Sequence, residues 1–373
     1  MEENLPELVR DWKLETTFRN NQTVHTRFIT NPTKEQWRSR IEEIWQRKQQ
    51  LGCGGFGVVW LEECMSGSGT GQVRAVKQLR KAMSPSWPKE LEAVFKFSHP
   101  RYRDSFIESF GWFDNEDDVC ITMEYCPLGD LAKCVARPLP ESEASLVTVQ
   151  ILEGVKYMHE NNFTHRDLKP SNILVLHQGP KWWIKICDFG ISKRTEGTSL
   201  WTQVGTEAYL APEIRGLYTP SDMPVRGNKI FSLAVDIWAI GVIAHFISTG
   251  RMPFQDTMEL IRYVQGTPFP DDSSLSTDCR TFMAETMKAS PKQRPTAKDA
   301  LSFAWLQQHL GTTNPNIDHL IQDVSNMHLQ NRGDPYMLTP ASGQWSTLNL
   351  LSPPSGELIP RYVKLPSPST DIA

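Results

Sequence analysis

His165-Arg166-Asp167-Leu168-Lys169-Pro170-Ser171-Asn172, followed sixteen residues later by Asp188-Phe189-Gly190, is the stretch on which the reading of this chain turns. It gathers three kinds of group. Asp167 is a carboxylate able to orient a hydroxyl, Lys169 a cation for moving negative charge, and Asn172 and Asp188 hard oxygen ligands suited to Mg2+. Phosphoryl transfer needs this set, because the protein's part in it is positioning and charge stabilisation rather than covalent chemistry. Chance occurrence of the octapeptide, with the other motifs described below in order, is negligible.

Toward the N-terminus lies Gly52-Cys53-Gly54-Gly55-Phe56-Gly57-Val58-Val59. Taken alone it is a weak signal, open to an ordinary hairpin turn, a dinucleotide-binding turn or a flap over phosphates. A dinucleotide site wants a helix after the glycines. Here a β-rich run, Val58-Val59-Trp60-Leu61, follows, which favours strand–loop–strand. Eighteen residues past Val59 comes Lys77, in Ala75-Val76-Lys77 within an apolar strand. A lone strand lysine usually faces water; one held inward could bind α- and β-phosphates if a carboxylate fixes it. The helix expected over Pro88–Phe97 offers two, Glu90 and Glu92, on different faces.

Together these motifs resemble those of the eukaryotic protein kinase family, from about residue 46 to 306. The resemblance implies an α+β, bilobal fold: a small β-rich N-lobe with one regulatory helix and a larger helical C-lobe. It implies ATP and two Mg2+ ions. Gly52, Gly54 and Gly57 match the loop over the phosphates and Val59 the roof of the adenine site, with Leu51 and Ala75 also at nucleotide-binding positions. Lys77 matches the phosphate-binding lysine. Glu90, nine residues before His99, fits the helix-C glutamate better than Glu92 does. Met123 falls at the gatekeeper position, the backbones of Glu124 and Cys126 at the adenine hydrogen bonds, and Leu174 at the floor. Asp167 matches the catalytic Asp, Lys169 the cation on the γ-phosphate, and Asn172 and Asp188 the metal ligands. His165 and Phe189 resemble spine residues. Ala211-Pro212-Glu213 resembles the end of an activation segment whose Glu213 pairs with Arg294, and Asp236 the core-helix Asp that holds the catalytic-loop backbone.

Within that family, Lys169 two residues after Asp167 and the run Gly205–Glu213 point to serine/threonine specificity, with Thr206 expected near Asp167 and Lys169. Small-molecule phosphotransferases lack the segment ending in Ala-Pro-Glu, and pseudokinase scaffolds normally lose Lys77, Asp167 or Asp188, all present here. A guanidinium at Arg166 beside the catalytic Asp calls for an anion. Thr202, nine residues before Ala211, with Lys193 to help, is the expected phosphorylation site, served by an upstream kinase or by trans-autophosphorylation. Asp130 allows a mild preference for protein substrates with one upstream basic residue; Ser171 replaces a second acid. The wording of the chain is nearest calcium/calmodulin-like and checkpoint-like kinases, with a fungal flavour.

Composition sets the outer bounds. The chain has 373 residues, 39% hydrophobic and 22% charged, with net charge −4, which gives no reason to expect nucleic-acid binding. Its seven cysteines follow no pattern, fitting reduced thiols in the cytoplasm or nucleus. Met1–Arg10 is acidic and does not read as a signal peptide. Ile230–Ser248 is apolar and nearly long enough to span a bilayer, but Asp236 inside it favours a buried core helix, so no membrane span is expected.

The expected organisation is an N-terminal extension over 1–44, a catalytic domain over 45–309 (N-lobe 45–123, C-lobe 127–309), and a largely disordered Pro/Ser-containing tail over 310–373. In the extension, Trp12–Arg19 and Val24–Thr30 read as strands and Thr33–Trp45 as an amphipathic helix. In the tail, Ile317–Met327 reads as a helix that packs back on the domain or serves autoinhibition or docking.

Overall fold

The computed structural model describes residues 5–20, 22–30, 38–54, 57–84, 87–188, 206–217 and 230–310. The expected tail helix, Thr202, Lys193 and Phe189 lie outside the described residues.

Extended strands dominate the first part of the chain, and the inner ones, β5 and β7, are buried over runs of four residues. Seven antiparallel strands form one sheet: β1 Thr16–Arg19, β2 Gln22–Thr30, β3 Arg38–Gly54, β4 Gly57–Ser66, β5 Val73–Arg80, β6 Ser109–Asp114 and β7 Asp118–Met123, in the order β1-β2-β3-β4-β5-β7-β6. Strands β1 and β2, ahead of residue 44, therefore belong to the same sheet as the N-lobe strands. Helix α1 (Glu7–Asp11) precedes the sheet, and α2 (Trp87–Phe97) lies between β5 and β6.

The helix expected up to Trp45 is corrected to strand from Arg38 onward. Ile41, Ile44 and Trp45 have helical spacing, but β2 pairs with this segment residue by residue from Thr30↔Arg38 to Gln22↔Gln46. Glu43 and Trp45 are both buried, so the inward face of β3 is part charged. Arg27 lies 3.3 Å from Glu43, and the Arg74 guanidinium lies 3.9 Å from the Trp45 ring centroid. A periodicity test that counts only apolar residues reads such a face wrongly. Strand β6, which the sequence reading did not anticipate, carries a bulge between Ser109 and Gly111.

The sheet closes on itself. Lys13, ahead of β1, bridges Trp112 of β6, the opposite edge strand; Trp112 N–H donates to Trp12 O (3.0 Å) and Leu14 N–H to Trp112 O (2.7 Å). Closure removes an exposed edge. Inside sit Val76, Phe113 and Cys120 with Leu14 against them. Beside them runs a buried polar chain. Arg74 donates to Glu62 Oε2 at 2.7 and 3.1 Å and to His25 Nε2 at 2.9 Å. That bond makes Nε2 the acceptor, so Nδ1 carries the proton toward Thr16 Oγ1 (2.8 Å), which in turn donates to Leu14 O (2.9 Å).

The C-terminal part is helical around α4 (Glu141–Glu160) and α5 (Ile230–Thr249), with α3 (Leu131–Cys134), the hairpin β8 (Ile173–His177) and β9 (Trp183–Ile186), then α6 (Thr257–Val264), α7 (Thr277–Thr286), α8 (Ala297–Ala300) and α9 (Ala304–Leu310). The apolar stretch is α5, and Ile237, Trp238, Ile240, Val242 and Ile243 are almost wholly buried in the main core. Among the described residues no helix is long and apolar enough to cross a membrane. A Cβ on Gly241 of α5 would meet Thr286 Oγ1 at 2.5 Å, so the glycine lets α5 and α7 approach closely.

Burial first, then Arg74 and Arg27, push the His25 imidazole down to about 2 from 6.5. The unfolded chain takes up a proton on His25 below 6.5 while the folded one does not, so its stabilisation is full above 6.5 and drains away as pH falls. One pH unit below that point costs about 1.4 kcal/mol, or about 2–4 °C in a domain of this size. Thermal unfolding of the wild type should lose stability over that range, and His25→Gln should lack this part of the slope. Equal slopes would refute the buried-neutral assignment.

Candidate active site

Strand pleating decides where Lys77 points. On β5 it pairs with Val59 of β4 and Ile121 of β7, and it is 8% exposed. Its Nζ lies 2.9 Å from Glu90 Oε1 on α2 and 2.8 Å from Asp188 Oδ1, just past β9. Glu90 is buried, whereas Glu92 is only half-buried, which separates the two glutamates left open by sequence spacing. Burial alone would strip the proton from Lys77; Asp188 and Glu90 outweigh it and hold the ammonium charged. Burial pushes the Asp188 carboxyl up, yet Lys77 outweighs that and holds it below the usual carboxylate range. Lys77, Glu90, Val94, Ile121, Met123 and Asp188 line one pocket.

Asp167 and its neighbours form a second cluster. Lys169 Nζ is 3.2 Å from Asp167 Oδ2. Asn172 Nδ2 donates to Asp167 O (2.7 Å) and to Oδ2 (3.2 Å), which turns the amide oxygen of Asn172 the other way. Cys187 N–H donates to Asn172 O (3.0 Å), tying this loop to the residue before Asp188. Among the described residues no group of three His, Cys, Asp or Glu could hold a metal. A hard cation here would rest on the oxygens of Asn172 and of Asp188, whose side chain is 43% exposed.

Two non-glycine residues of the site have left-handed backbones, Arg166 (φ 67°) and Asp188 (φ 57°). Each costs about 1–3 kcal/mol, which interactions around it must offset. Asp236 imposes the first: its carboxylate accepts from the backbone N–H of His165 (2.9 Å) and Arg166 (2.8 Å), and His159 Nε2 lies 3.0 Å away. His165 Nε2 donates to Cys187 O at 3.0 Å, joining this cage to the Asp188 segment. Glu213 and Arg294 form a bidentate buried pair at 2.6 and 2.8 Å, and Arg294 also donates to three backbone carbonyls.

The remaining expected positions frame this centre. Ala75 lies opposite Met123 in the β5–β7 ladder. Glu124 N–H donates to Glu108 O (2.9 Å), so any bond from this peptide to a nucleotide must come through its carbonyl. Cys126, with its thiol pushed by burial to about 12, packs with Cys187, and Met123 and Leu174 pack against them. Burial likewise drives the Cys187 thiol up, so both are poor nucleophiles. Leu51 precedes the turn in which Gly52 pairs with Val59 and Gly54 with Gly57. Gly52 and Gly54 face open space, while a Cβ on Gly57 (φ +145°) would strike Gln78 O at 1.9 Å. Packing on β5 thus demands glycine at Gly57. The Thr206 side chain lies outside the described residues.

Sequence reading missed one buried pair. Lys185 Nζ of β9 lies 2.5 Å from Glu124 Oε1, and the same oxygen accepts from Glu108 N–H (2.8 Å). Nothing in the spacing distinguishes Lys185 from a solvated strand lysine.

Comparison with known proteins agrees with this geometry. The sequence profile of the protein kinase domain matches residues 45–306. Calcium/calmodulin-dependent protein kinase type 1 of Caenorhabditis elegans is 32% identical over 300 residues, covering 78% of this chain and 80% of the relative. Serine/threonine-protein kinase RAD53 of Saccharomyces cerevisiae is 32% identical over 255 residues, 64% of this chain and 30% of that protein. Among solved structures, the crystal structure of the Rad53 kinase domain and SCD2 superposes with a TM-score of 0.53 at 28% identity, covering 67% of this chain and 87% of that one. The chain belongs to the protein kinase family, and it is a serine/threonine protein kinase.

Proposed function

We propose that this kinase transfers the γ-phosphate of Mg-ATP to serine and threonine hydroxyls of protein substrates and is switched on by phosphorylation of Thr202. The observation that carries the first part is the convergence of Lys77, Glu90 and Asp188 within hydrogen-bond distance. Lys77 binds the α- and β-phosphates, and Glu90 keeps it inward and charged. Asp167 accepts the hydrogen bond of the substrate hydroxyl and takes its proton as the new P–O bond forms to the γ-phosphorus and the bond from that phosphorus to the β–γ bridging oxygen breaks, with ADP as the leaving group. Lys169, 3.2 Å from that carboxylate, stabilises the charge on the transferring group. Asn172 and Asp188 would hold magnesium, which when bound would neutralise charge on the phosphate oxygens. The carbonyl of Glu124 and the backbone of Cys126 hold the adenine between Val59 and Ala75 above and Leu174 below, with Leu51 at the rim.

The second part rests on charge. Arg166 sits beside Asp167 with its backbone held by Asp236. A phosphate on Thr202, nine residues before Ala211, would take charge-assisted hydrogen bonds from the Arg166 guanidinium, helped by Lys193. The preference for a basic residue upstream of the acceptor rests on the resemblance alone, since Asp130 caps α3 and pairs with Lys133 at 2.7 Å within the chain.

Two measurements separate these claims. With Mg-ATP and a generic serine/threonine substrate, Asp188→Asn and Lys77→Met should each lose at least about 100-fold in kcat, while remaining folded by thermal unfolding. Transfer by Asp188→Asn at the wild-type rate would remove that residue from the metal site. Thr202→Ala should lower kcat by about tenfold or more, and phosphatase treatment should do the same to the wild type but not to the variant. Full activity in Thr202→Ala would end the activation proposal.

A further inference from the structure

Residues 5–14 lie outside the span that matches the kinase profile, yet they are seated against the helix that carries Glu90. Val9 of α1 is fully buried and Leu5 nearly so, both within the main core together with Leu91 and Phe95 of α2. The Trp12 ring stacks on Phe95 at 5.1 Å between centroids and 17° between planes. Three hydrogen bonds anchor the segment to β6: Trp112 Nε1–H to Val9 O (2.6 Å), Trp112 N–H to Trp12 O (3.0 Å) and Leu14 N–H to Trp112 O (2.7 Å). Lys13 adds an ion pair to Asp114 at 3.0 Å. The sequence leaves room for this docking. A Cβ on Gly111 (φ +130°) would meet the Leu14 side chain at 2.8 Å and Trp12 O at 2.9 Å.

We propose that residues 5–14 are an intramolecular strut that holds α2 where Glu90 meets Lys77, with Trp12 as its positioning residue. The proposal rests on the role given above to the Lys77–Glu90 pair. Five residues separate Glu90 from Phe95, about 140° around the helix at 100° per residue. Glu90 and Val94 therefore face the pocket, while Phe95 faces the strut. The helix is gripped from two sides: by the buried ion pair toward the site and by an aromatic stack behind it. The stack is tied by backbone hydrogen bonds to β6, part of the same sheet as Lys77, so sheet and helix are held in register. Without the Trp12 ring, Phe95 would lose its cover and α2 could rebury it only by moving. That motion draws Glu90 away from a lysine 2.9 Å distant.

The test compares full-length wild type, Trp12→Ala, Trp12→Phe, Glu90→Gln and the Trp12→Ala/Glu90→Gln double variant. Readouts are kcat and KM for Mg-ATP, and amide deuterium uptake in α2. The expected result is a kcat about tenfold lower in Trp12→Ala, faster exchange in α2 but not in β5, and retention of most activity in Trp12→Phe. In the Glu90→Gln background, Trp12→Ala should add less than about a twofold loss, because both changes break the same contact. Wild-type kcat in Trp12→Ala, with Glu90→Gln impaired, would overturn the strut alone. A loss that multiplies in full on the Glu90→Gln background would also overturn it, since a fall in folded fraction acts independently of Glu90. Glu90→Gln at the wild-type rate would overturn both the strut and the reading of the pair beneath it. Should Trp12→Ala fail to fold, Trp12→Leu, which keeps bulk and loses planar stacking, carries the same comparison.

Discussion

A lysine held almost out of water is the constraint to which the rest of this structure answers. An ammonium moved to a protein interior loses several kcal/mol of hydration, and Lys77 recovers that loss only by meeting carboxylates from two other places in the chain. Glu90 comes from the helix behind the sheet and Asp188 from the segment after β9. Three separate elements, the third 111 residues on from Lys77, must therefore be in position at once for the charge to be tolerated. The contact is consequently a sensor of assembly as much as a ligand site. Any displacement of α2 or of the Asp188 segment leaves a buried charge short of a partner, at a cost of about 3–5 kcal/mol.

The loop opposite answers to a second constraint, backbone strain. Arg166 and Asp188 occupy left-handed conformations that their side chains do not favour, and the energy is supplied by Asp236 and His165. His165 links the two strained points, with its backbone on Asp236 and its ring on Cys187 O. Asp167 is thus set by an aspartate in the middle of an apolar helix. That explains how a charge is retained inside α5: removing it would release two backbone N–H groups and the geometry of the loop together.

The chemical centre was legible in the sequence to a degree that the scaffold around it was not. The octapeptide at His165–Asn172 and the Asp188 motif are contiguous, Lys77 gains its meaning from their company, and the Glu213–Arg294 pair was implied by the family resemblance. Between Glu90 and Glu92 the residues alone left the choice open; the family resemblance favoured Glu90, and it is Glu90 that is buried against Lys77. What escaped were features whose meaning depends on partners far away. Strand β3 carries Glu43 and Arg47 on a face that is buried only because Arg27, Arg74 and Glu62 neutralise it. Lys185 looks solvated until Glu124 is brought 2.5 Å from it. Local pattern reports burial of apolar groups well and burial of compensated charge badly, because compensation is a property of the fold.

The same principle joins the interior of the N-lobe to its helix. The chain of donors from Arg74 through His25 and Thr16 ends on the carbonyl of Leu14, while the N–H of Leu14 goes to Trp112. Both backbone groups of one residue are thereby fixed, one by the closed sheet's polar core and the other by its far edge. Trp12 stands two residues earlier, with its carbonyl on the same tryptophan and its ring on α2. The path from Arg74 to Glu90 therefore passes through hydrogen bonds and one aromatic stack, by way of the sheet, the segment ahead of it and α2. A neutral His25 is needed at its head, since a protonated ring would set a cation against Arg74 and lose the acceptor that Arg74 uses. Residues 5–20, 22–30 and 38–44 are thus bound to the catalytic geometry by hydrogen bonds and packing, and the N-lobe sheet includes strands from them.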